Sequence, residues 1–317
     1  MGSRDKQVVR GNVPHPDWVG SCVTIGNFDG VHRGHQELVS RMRKMADNHG
    51  VPGVAMTFYP HPAEVLAGRE VTRLLPIEDR IGKLLAAGAD GVWVVPFTRE
   101  LSTLEPENFV ENFLVKSLQA RGVVIGPDFR FGKERRGDGE LMARHARQAG
   151  FELVQLAPHE VQGIRISSSQ IREVLKGGDV EHAALLLGNP FRVKGEVVHG
   201  EGRGRCIGFP TANVTPYDKS MVPGRGIYVV RVRLGTPPGE SKPMEAVASV
   251  GTRPTFDDGL VKLEVFILDH SFDIYGETLT VEFLHRLRDE EKYASVDDLV
   301  VAIQRDVDAA RDYLAQH

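Results

Sequence analysis

Residues 22–35, CVTIGNFDGVHRGH, join a short apolar run to a glycine-rich turn that carries two histidines. Val23, Thr24 and Ile25 have the β-branched character of a strand, and Leu38, Met42 and Met45 then recur at helical spacing. The stretch therefore predicts a strand, a turn and a helix. Gly26, Gly30 and Gly34 let backbone approach a ligand, and the unpaired N–H groups opening the helix favour an anion. His32 and His35 add ring donors that could become cationic beside a phosphate. These features suit a triphosphate, whose chemistry needs positioning and charge stabilisation more than a covalent nucleophile. On the residues alone, two other readings stay open. H-x-x-H is also half of a metal site, although no third ligand is nearby, and the turn is also compatible with ordinary surface histidines. Neither the Rossmann G-x-G-x-x-G nor a Walker A loop fits.

Working outward, residues 20 to 187 alternate short apolar runs (CVTIG, GVAMTF, GVWVVPF, GVVIG, FELVQLA) with helical patterns such as PIEDRIGKLLAAG and PENFVENFLVKSL. Phe109, Phe113 and Leu114 define one face of the latter. This rhythm predicts a Rossmann-like parallel sheet covered on both sides, with ligands at the carboxyl ends of its strands. Beyond residue 190 the period becomes two, in FRVKGEVVHG, GIYVVRVRLG, MEAVASVG, LVKLEVFILD and TLTVEFLHRLR, with Gly/Pro clusters such as GTPPGESKP between runs. Five or six half-buried antiparallel strands predict a small barrel. A final helix is expected from Ser295, an N-cap followed by Asp297 and Asp298, with Leu299, Ile303, Val307 and Leu314 on one stripe. The boundary is expected near LLLGNPF (185–191), giving domains 1–186 and 187–317.

The 317 residues carry 39 Lys+Arg against 43 Asp+Glu, so no chain-wide positive field favours nucleic acid. No apolar run is long enough to cross a bilayer, and the opening MGSRDKQVVRGNVPHPDW reads as a loose polar start without a signal-peptide core. Cys22 and Cys206 belong to no C-x-x-C pair and read as small buried hydrophobes of a cytoplasmic protein.

A second glycine-rich stretch, HGEGRGRCIGFPTAN (199–213), lies in the β half. Gly200, Gly202, Gly204 and Gly208 loosen the backbone, Arg203 and Arg205 give cationic reach, and Pro210 stiffens the approach to Thr211 and Asn213. Those two oxygens stand a strand period apart on one face and suit Mg²⁺ carried with a nucleotide. A glycine-rich hairpin with a solvated arginine pair is the competing reading.

GNFDGVHRGH resembles the signature of the adenylyltransferase half of bacterial bifunctional riboflavin kinase/FMN adenylyltransferases. The blocks TFYPHP (57–62), IGPDFRFGKERRGD (125–138) and RISSSQIREVLKGGDV (165–180) follow in that family's order. GFPTAN, SVGTRPTF (249–256), LEVFILDHSFDIYGETLTVEF (263–283) and RLRDEEKY (286–293) are similar to its riboflavin kinase half.

The resemblance implies a nucleotidyltransferase domain followed by a six-stranded riboflavin kinase barrel with a C-terminal helix. Riboflavin, FMN, FAD and ATP would be its substrates and products, and Mg²⁺ would assist both reactions. It implies that Gly26, Phe28, Asp29, Gly30, His32, Gly34 and His35 bind ATP, the two histidines acting at the α-phosphate. Ser168, Ser169 (a Thr in most of the family) and Arg172 would hold the other end of the triphosphate. By themselves these serines are also an ordinary helix cap.

Phe58, His61, Asp128, Phe129 and Phe131 would lie near the flavin, although FRF is equally good core. In the barrel, Gly200, Gly202, Arg203, Gly204, Phe209, Pro210, Thr211 and Asn213 would bind ATP, with Thr211 and Asn213 on the metal. Glu264 would be the general base toward the ribityl 5′-hydroxyl, while its same-face neighbour Lys262 also allows a plain surface ladder. Arg130, Arg135 and Arg136 have no assigned role.

Overall fold

The computed structural model describes residues 7–68, 71–161, 163–200, 202–217, 220–235, 240–252, 261–270 and 273–317. The expectations for residues 236–239, 253–256 and 271–272, and for the Arg203 side chain, lie outside the described residues. The chain forms two compact units, one ending at Ser167 and the other running from Ser168 to His317.

In the first unit, β1 (Gln7–Arg10), β2 (Cys22–Ile25), β3 (Gly53–Tyr59), β4 (Gly91–Pro96), β5 (Gly122–Ile125) and β6 (Glu152–Gln155) make one parallel sheet. Its order, β1-β4-β3-β2-β5-β6, reverses direction at β2. The open crevice of such a sheet lies at that switch point, beyond the carboxyl end of β2. Helices α1 (Arg33–His49), α2 (Pro62–Ala67), α3 (Ile77–Ala86), α4 (Arg99–Ser102), α5 (Pro106–Phe109) and α6 (Gly139–Ala149) connect these strands. One face of the sheet packs Ala55, Val92 and Val94 against Leu38, Met42 and Met45 of α1 and Ile81 and Leu84 of α3. The other packs Val23, Met56, Trp93 and Val123 against Phe109, Leu114 and Met142. Burial on both faces explains why these strands read as continuous apolar runs.

Two local expectations change. The polar start contains β1, whose Gln7–Arg10 pair in register with Gly91–Val94 of β4. It is a four-residue edge strand with exposed Val8, so it lacks the apolar run that marks its neighbours. The single helix expected over 106–118 is instead α5 followed by a wider π-type turn, Val110–Ser117, which ends with Leu118 N–H donating to the Phe113 carbonyl.

A two-stranded ribbon, β7 (Glu160–Val161) and β8 (Ile164–Arg165), precedes the second unit, which opens with α7 (Ser168–Lys176) and α8 (Val180–Leu187). Strands β9 (Phe191–Val198), β10 (Ala212–Pro216), β11 (Gly226–Leu234), β12 (Met244–Thr252), β13 (Val261–Ile267) and β14 (Thr278–Arg288) close into an antiparallel barrel of order β10-β13-β12-β11-β14-β9. Along β13, Leu263, Val265 and Ile267 are buried while Lys262, Glu264 and Phe266 face the other way. The short α9 (Arg203–Cys206) leaves β9's glycine-rich exit, and α10 (Val296–Gln316) lays Val307, Ala310 and Leu314 on Ile227, Val229 and Val247. Ser295 caps α10 as expected, its hydroxyl accepting from the Asp298 N–H. Cys22 is buried in the sheet, where desolvation pushes its thiol up to about 11. Cys206 is exposed on α9 and is not the buried hydrophobe its neighbours suggested.

Candidate active sites

The first site is the turn between β2 and α1, at the switch point. Phe28 (φ +49°), Gly30 (φ +87°) and Val31 (φ +42°) take left-handed conformations within four residues. This folds the Phe28 ring inward, fully buried, under Gly26, where a Cβ would stand 3.2 Å from the ring. The His35 ring is held between Phe28, edge-on at 5.2 Å, and His32, stacked face to face at 3.6 Å. His32 is also the N-cap of α1, its Nδ1 accepting from the His35 N–H at 3.4 Å. With Nδ1 an acceptor, the neutral ring carries its proton on Nε2.

Burial, together with nearby His159, lowers the His32 pKa to about 4. His35 lies well below the ordinary range because it is desolvated and beside His32 and Arg80. Both rings are therefore neutral N–H donors at pH 7. The cationic form allowed by the sequence is not the resting one.

Gly34 is not demanded by packing, since a Cβ there would meet His32 and His159 only at ordinary contact, 3.4 Å or more. Asp29 is turned inward. Its carboxylate accepts from the N–H groups of Leu74 and Leu75, at 3.1 and 3.3 Å, and is 2% exposed. Of the predicted ATP set, Gly26, Phe28, Asp29, Gly30, His32, Gly34 and His35 come together here, with Phe28 and Asp29 shaping the turn from beneath. Ser168 and Ser169 open α7 and Arg172 sits one turn further in, all within the second unit.

The aromatic residues predicted for flavin form one cluster. Phe58, at the end of β3, meets Phe97 and Phe109, while Phe129 stacks on Phe131 at 5.2 Å and Phe131 reaches Phe109 at 5.5 Å. Phe58 and Phe129 are half-buried, whereas Phe131 is buried and serves as their support. His61 caps α2 through Nδ1, and the exposed Asp128 pairs with Arg165. Arg130 and Arg136 are salt-bridged to Asp138 and Glu105. His159, joined to Glu37 of α1 and acting on His32, is a neighbour the sequence reading missed. Isolated in a loop, it carries no pattern.

The second site is on the barrel. Asn213 of β10 lies directly opposite Glu264 of β13, which lies opposite Ser249 of β12. Glu264 and Lys262 pair at 3.0 Å, but their shared face forms part of the wall of a cavity of about 750 Å³, so it is more than a solvent-facing ladder. Phe209, Ile227, Val247 and Phe266 give that cavity apolar walls, with Leu299 and Ile303 of α10 across from them. Arg288, bound in fork geometry to the buried Asp306 at 2.7 and 2.6 Å, and Glu290 complete the rim. Arg288 and Glu290 lie in the RLRDEEKY block expected to close the flavin pocket, whereas Asp306 of α10 was not singled out from sequence. Thr211 borders this cavity and also a second one of about 350 Å³ bounded by Val197, Arg205, Pro210 and Tyr275.

The glycine loop has specific steric duties. A Cβ on Gly200 would sit 2.1 Å from the Asn213 amide nitrogen, and one on Gly204 would sit 2.3 Å from the Phe209 carbonyl oxygen. Gly202 (φ +69°) turns the chain into α9. The Asn213 Oδ1 is buried without a hydrogen-bond partner among the described residues. A shielded carbonyl oxygen beside the Thr211 hydroxyl fits a hard cation delivered with phosphates. No cluster of three or more His, Cys, Asp or Glu able to cage a metal occurs among the described residues.

Fold and sites together define the class: a two-unit protein with a histidine-capped helix at the switch point of a parallel sheet in one unit and a glycine loop on a closed barrel in the other. Residues 15–170 match the FAD synthetase family and residues 187–314 the riboflavin kinase family. The bifunctional riboflavin kinase/FMN adenylyltransferase of Escherichia coli (strain K12) is 38% identical over 310 residues, 97% of each chain. That of Haemophilus influenzae is 39% identical over 295 residues, 93% of this chain and 94% of its own. The chain belongs to this bifunctional family. A crystal structure from Streptococcus pneumoniae described as a macrolide-efflux protein is 34% identical with TM-score 0.86, covering 96% of this chain and 98% of that one. Among the described residues here, no helix is long and apolar enough to cross a membrane.

Proposed function

We infer that the protein makes flavin cofactors in two ATP-dependent steps, phosphorylating riboflavin to FMN and adenylylating FMN to FAD. The observation that carries the reading is the presence on one chain of the histidine-capped α1 at a sheet switch point and the Asn213–Glu264 pair on a barrel cavity. We assign the kinase step to residues 187–317 and the adenylyl transfer to residues 1–186.

In the kinase step the larger cavity takes the riboflavin ring against Phe209, Phe266 and α10, and the smaller takes the nucleotide. Glu264, oriented by Lys262, accepts the proton of the ribityl 5′-hydroxyl as that oxygen bonds to the γ-phosphorus. The bond from the γ-phosphorus to the β–γ bridging oxygen breaks, and ADP leaves. Thr211 and Asn213 would hold Mg²⁺, which supplies charge neutralisation on the phosphates when bound. In the second step an FMN phosphate oxygen attacks the α-phosphorus of ATP and pyrophosphate departs. His32, through Nε2–H, and His35 stabilise the charge that develops, and the first-turn amides of α1 add to this. Phe58 and Phe129 offer the flavin a stacking edge.

A chromatographic time course with riboflavin, ATP and Mg²⁺, repeated from FMN, tests the reading. FMN should appear first and FAD follow, with ADP and pyrophosphate. An unchanged flavin pool in both reactions would overturn the assignment.

A further inference from the structure

Arg80, on α3, is 1% exposed, and its Nε and Nη1 have no hydrogen-bond partner among the described residues. Its nearest ion-pair partner is Asp29, at 3.9 Å, beyond hydrogen-bond reach. A buried, poorly partnered cation is costly, and an apolar side chain of similar volume would pack this position more cheaply. Its surroundings suggest what it does.

Asp29 is the acidic residue of the β2–α1 turn, and its carboxylate already binds the amides of Leu74 and Leu75, just ahead of α3. The turn itself is strained, with Phe28 and Val31 both at positive φ. Such conformations persist only where surrounding contacts over-determine them, and they cluster at functional sites. The clamp on Asp29 is such a contact, and Arg80 lies 3.9 Å from the oxygen that both amides bind. Arg80 also acts on His35, the ring stacked on His32.

We propose that Arg80 is a positioning residue for adenylyl transfer, holding the 26–31 turn, and with it His32 and His35, through Asp29. This rests on the proposed function of that turn. The Arg80 charge adds to burial in opposing a charge on the His35 ring, so that ring stays a neutral N–H donor at pH 7. The groups facing this unit are His32 and His35 on α1, Asp29 in the turn, Glu64 on α2, Arg73 and Tyr59 around Arg80, and His159 with Glu37 beside His32. Burial is the larger cause of the low histidine pKa values, and the arginine adds to it.

The test is steady-state FMN adenylylation across pH 4 to 8 by R80M, R80Q and R80K, with riboflavin phosphorylation by the same full-length proteins as the internal control. R80M and R80Q should lower kcat by about 10- to 100-fold with a smaller change in the KM for ATP. Their acid limb should move upward, toward the ordinary histidine range. R80K should retain most of kcat and the wild-type acid limb, and riboflavin phosphorylation should be unchanged in all three. The proposal is overturned if R80M makes FAD at the wild-type rate, or if its rate falls with an unmoved acid limb. It is also overturned if all three variants lose both activities together, which marks a purely structural residue. Failure of the wild type to convert FMN would instead strike the functional reading itself.

Discussion

Replacing Gly200 with alanine should disable the kinase while leaving the other activity and the fold in place. The new Cβ would stand 2.1 Å from the Asn213 amide nitrogen and 2.8 Å from its Oδ1. Ordinary contact starts at 3.4 Å, so the amide must retreat by about 1.3 Å. Asn213 has little freedom to do so, because β10 is fixed between β9 and β13 and the residue is 8% exposed. A misplacement near 1 Å in a positioning group costs about 10²-fold in rate, or roughly 2.7 kcal/mol of transition-state stabilisation.

The assay is kcat/KM for riboflavin phosphorylation by G200A, N213A and the double variant, with FMN adenylylation followed in parallel. G200A should lose about 10²-fold in the first reaction and stay within twofold in the second. The double variant should match N213A, because both substitutions act through one amide. Wild-type phosphorylation by G200A, or losses that add in the double variant, would refute the claim that this oxygen is held in place for catalysis.

The two chemistries should also separate at their reacting groups. His32→Asn keeps a side-chain acceptor for the α1 cap, so it should lower FAD formation from FMN by at least about 10²-fold with riboflavin phosphorylation retained. Glu264→Gln should do the reverse, and a parallel fall of both activities in either folded variant would contradict the division. Acid should weaken the first unit: His32 takes up a proton near 6.5 when unfolded but only near 4 when folded. Between those values the unfolded chain binds more protons, so stability is full above about 6.5 and is lost as pH falls toward 4. From pH 7 to pH 5 the loss is about 2 kcal/mol, readable by urea unfolding of the first unit and reduced in His32→Asn.

Most of the architecture is legible in the sequence because burial imposes itself as pattern. A strand covered on both faces reads as a near-continuous apolar run, as CVTI, GVWVVP and GVVI do. A barrel strand covered on one face must alternate, as FRVKGEVV does. Elements whose partners are few leave weaker traces. The strand QVVR occupies a sheet edge and buries alternate residues only partly, so it merges with the polar start. The π-type turn after Phe109 keeps its apolar residues but changes their angular spacing, which no count of helical periods reveals.

At the candidate sites, the motifs are legible in the sequence but the placement of their side chains is not. Asp29 sits among glycines and looks like a ligand group, whereas its carboxylate faces inward to Leu74 and Leu75. Arg80 looks like one of the charged residues on the solvent side of an amphipathic helix. His159 and Asp306 depend on contacts between segments far apart in sequence, so no local pattern announces them.

On the proposed function, the two sites would meet the same electrostatic demand with different materials. At β2–α1 the donors are neutral rings and backbone amides, beside a turn at positive φ whose carboxylate, Asp29, faces inward. Neutral donors suit an adenylyl transfer in which both the attacking group and the departing pyrophosphate are anions, because their hydrogen bonding stays the same around neutral pH. At β10–β13 the polar groups are oxygens, Thr211, Asn213 and Glu264, set a strand period or one pairing apart. Oxygens repel phosphate unless a cation stands between them, so this arrangement fits a nucleotide arriving with its metal. The glycines differ accordingly. Gly30 serves a left-handed bend, and Gly200 and Gly204 serve clearance beside a side chain and a carbonyl. Alanine at position 30 should therefore distort backbone, whereas alanine at position 200 displaces one amide, and only the second kind of damage should be confined to a single step of catalysis.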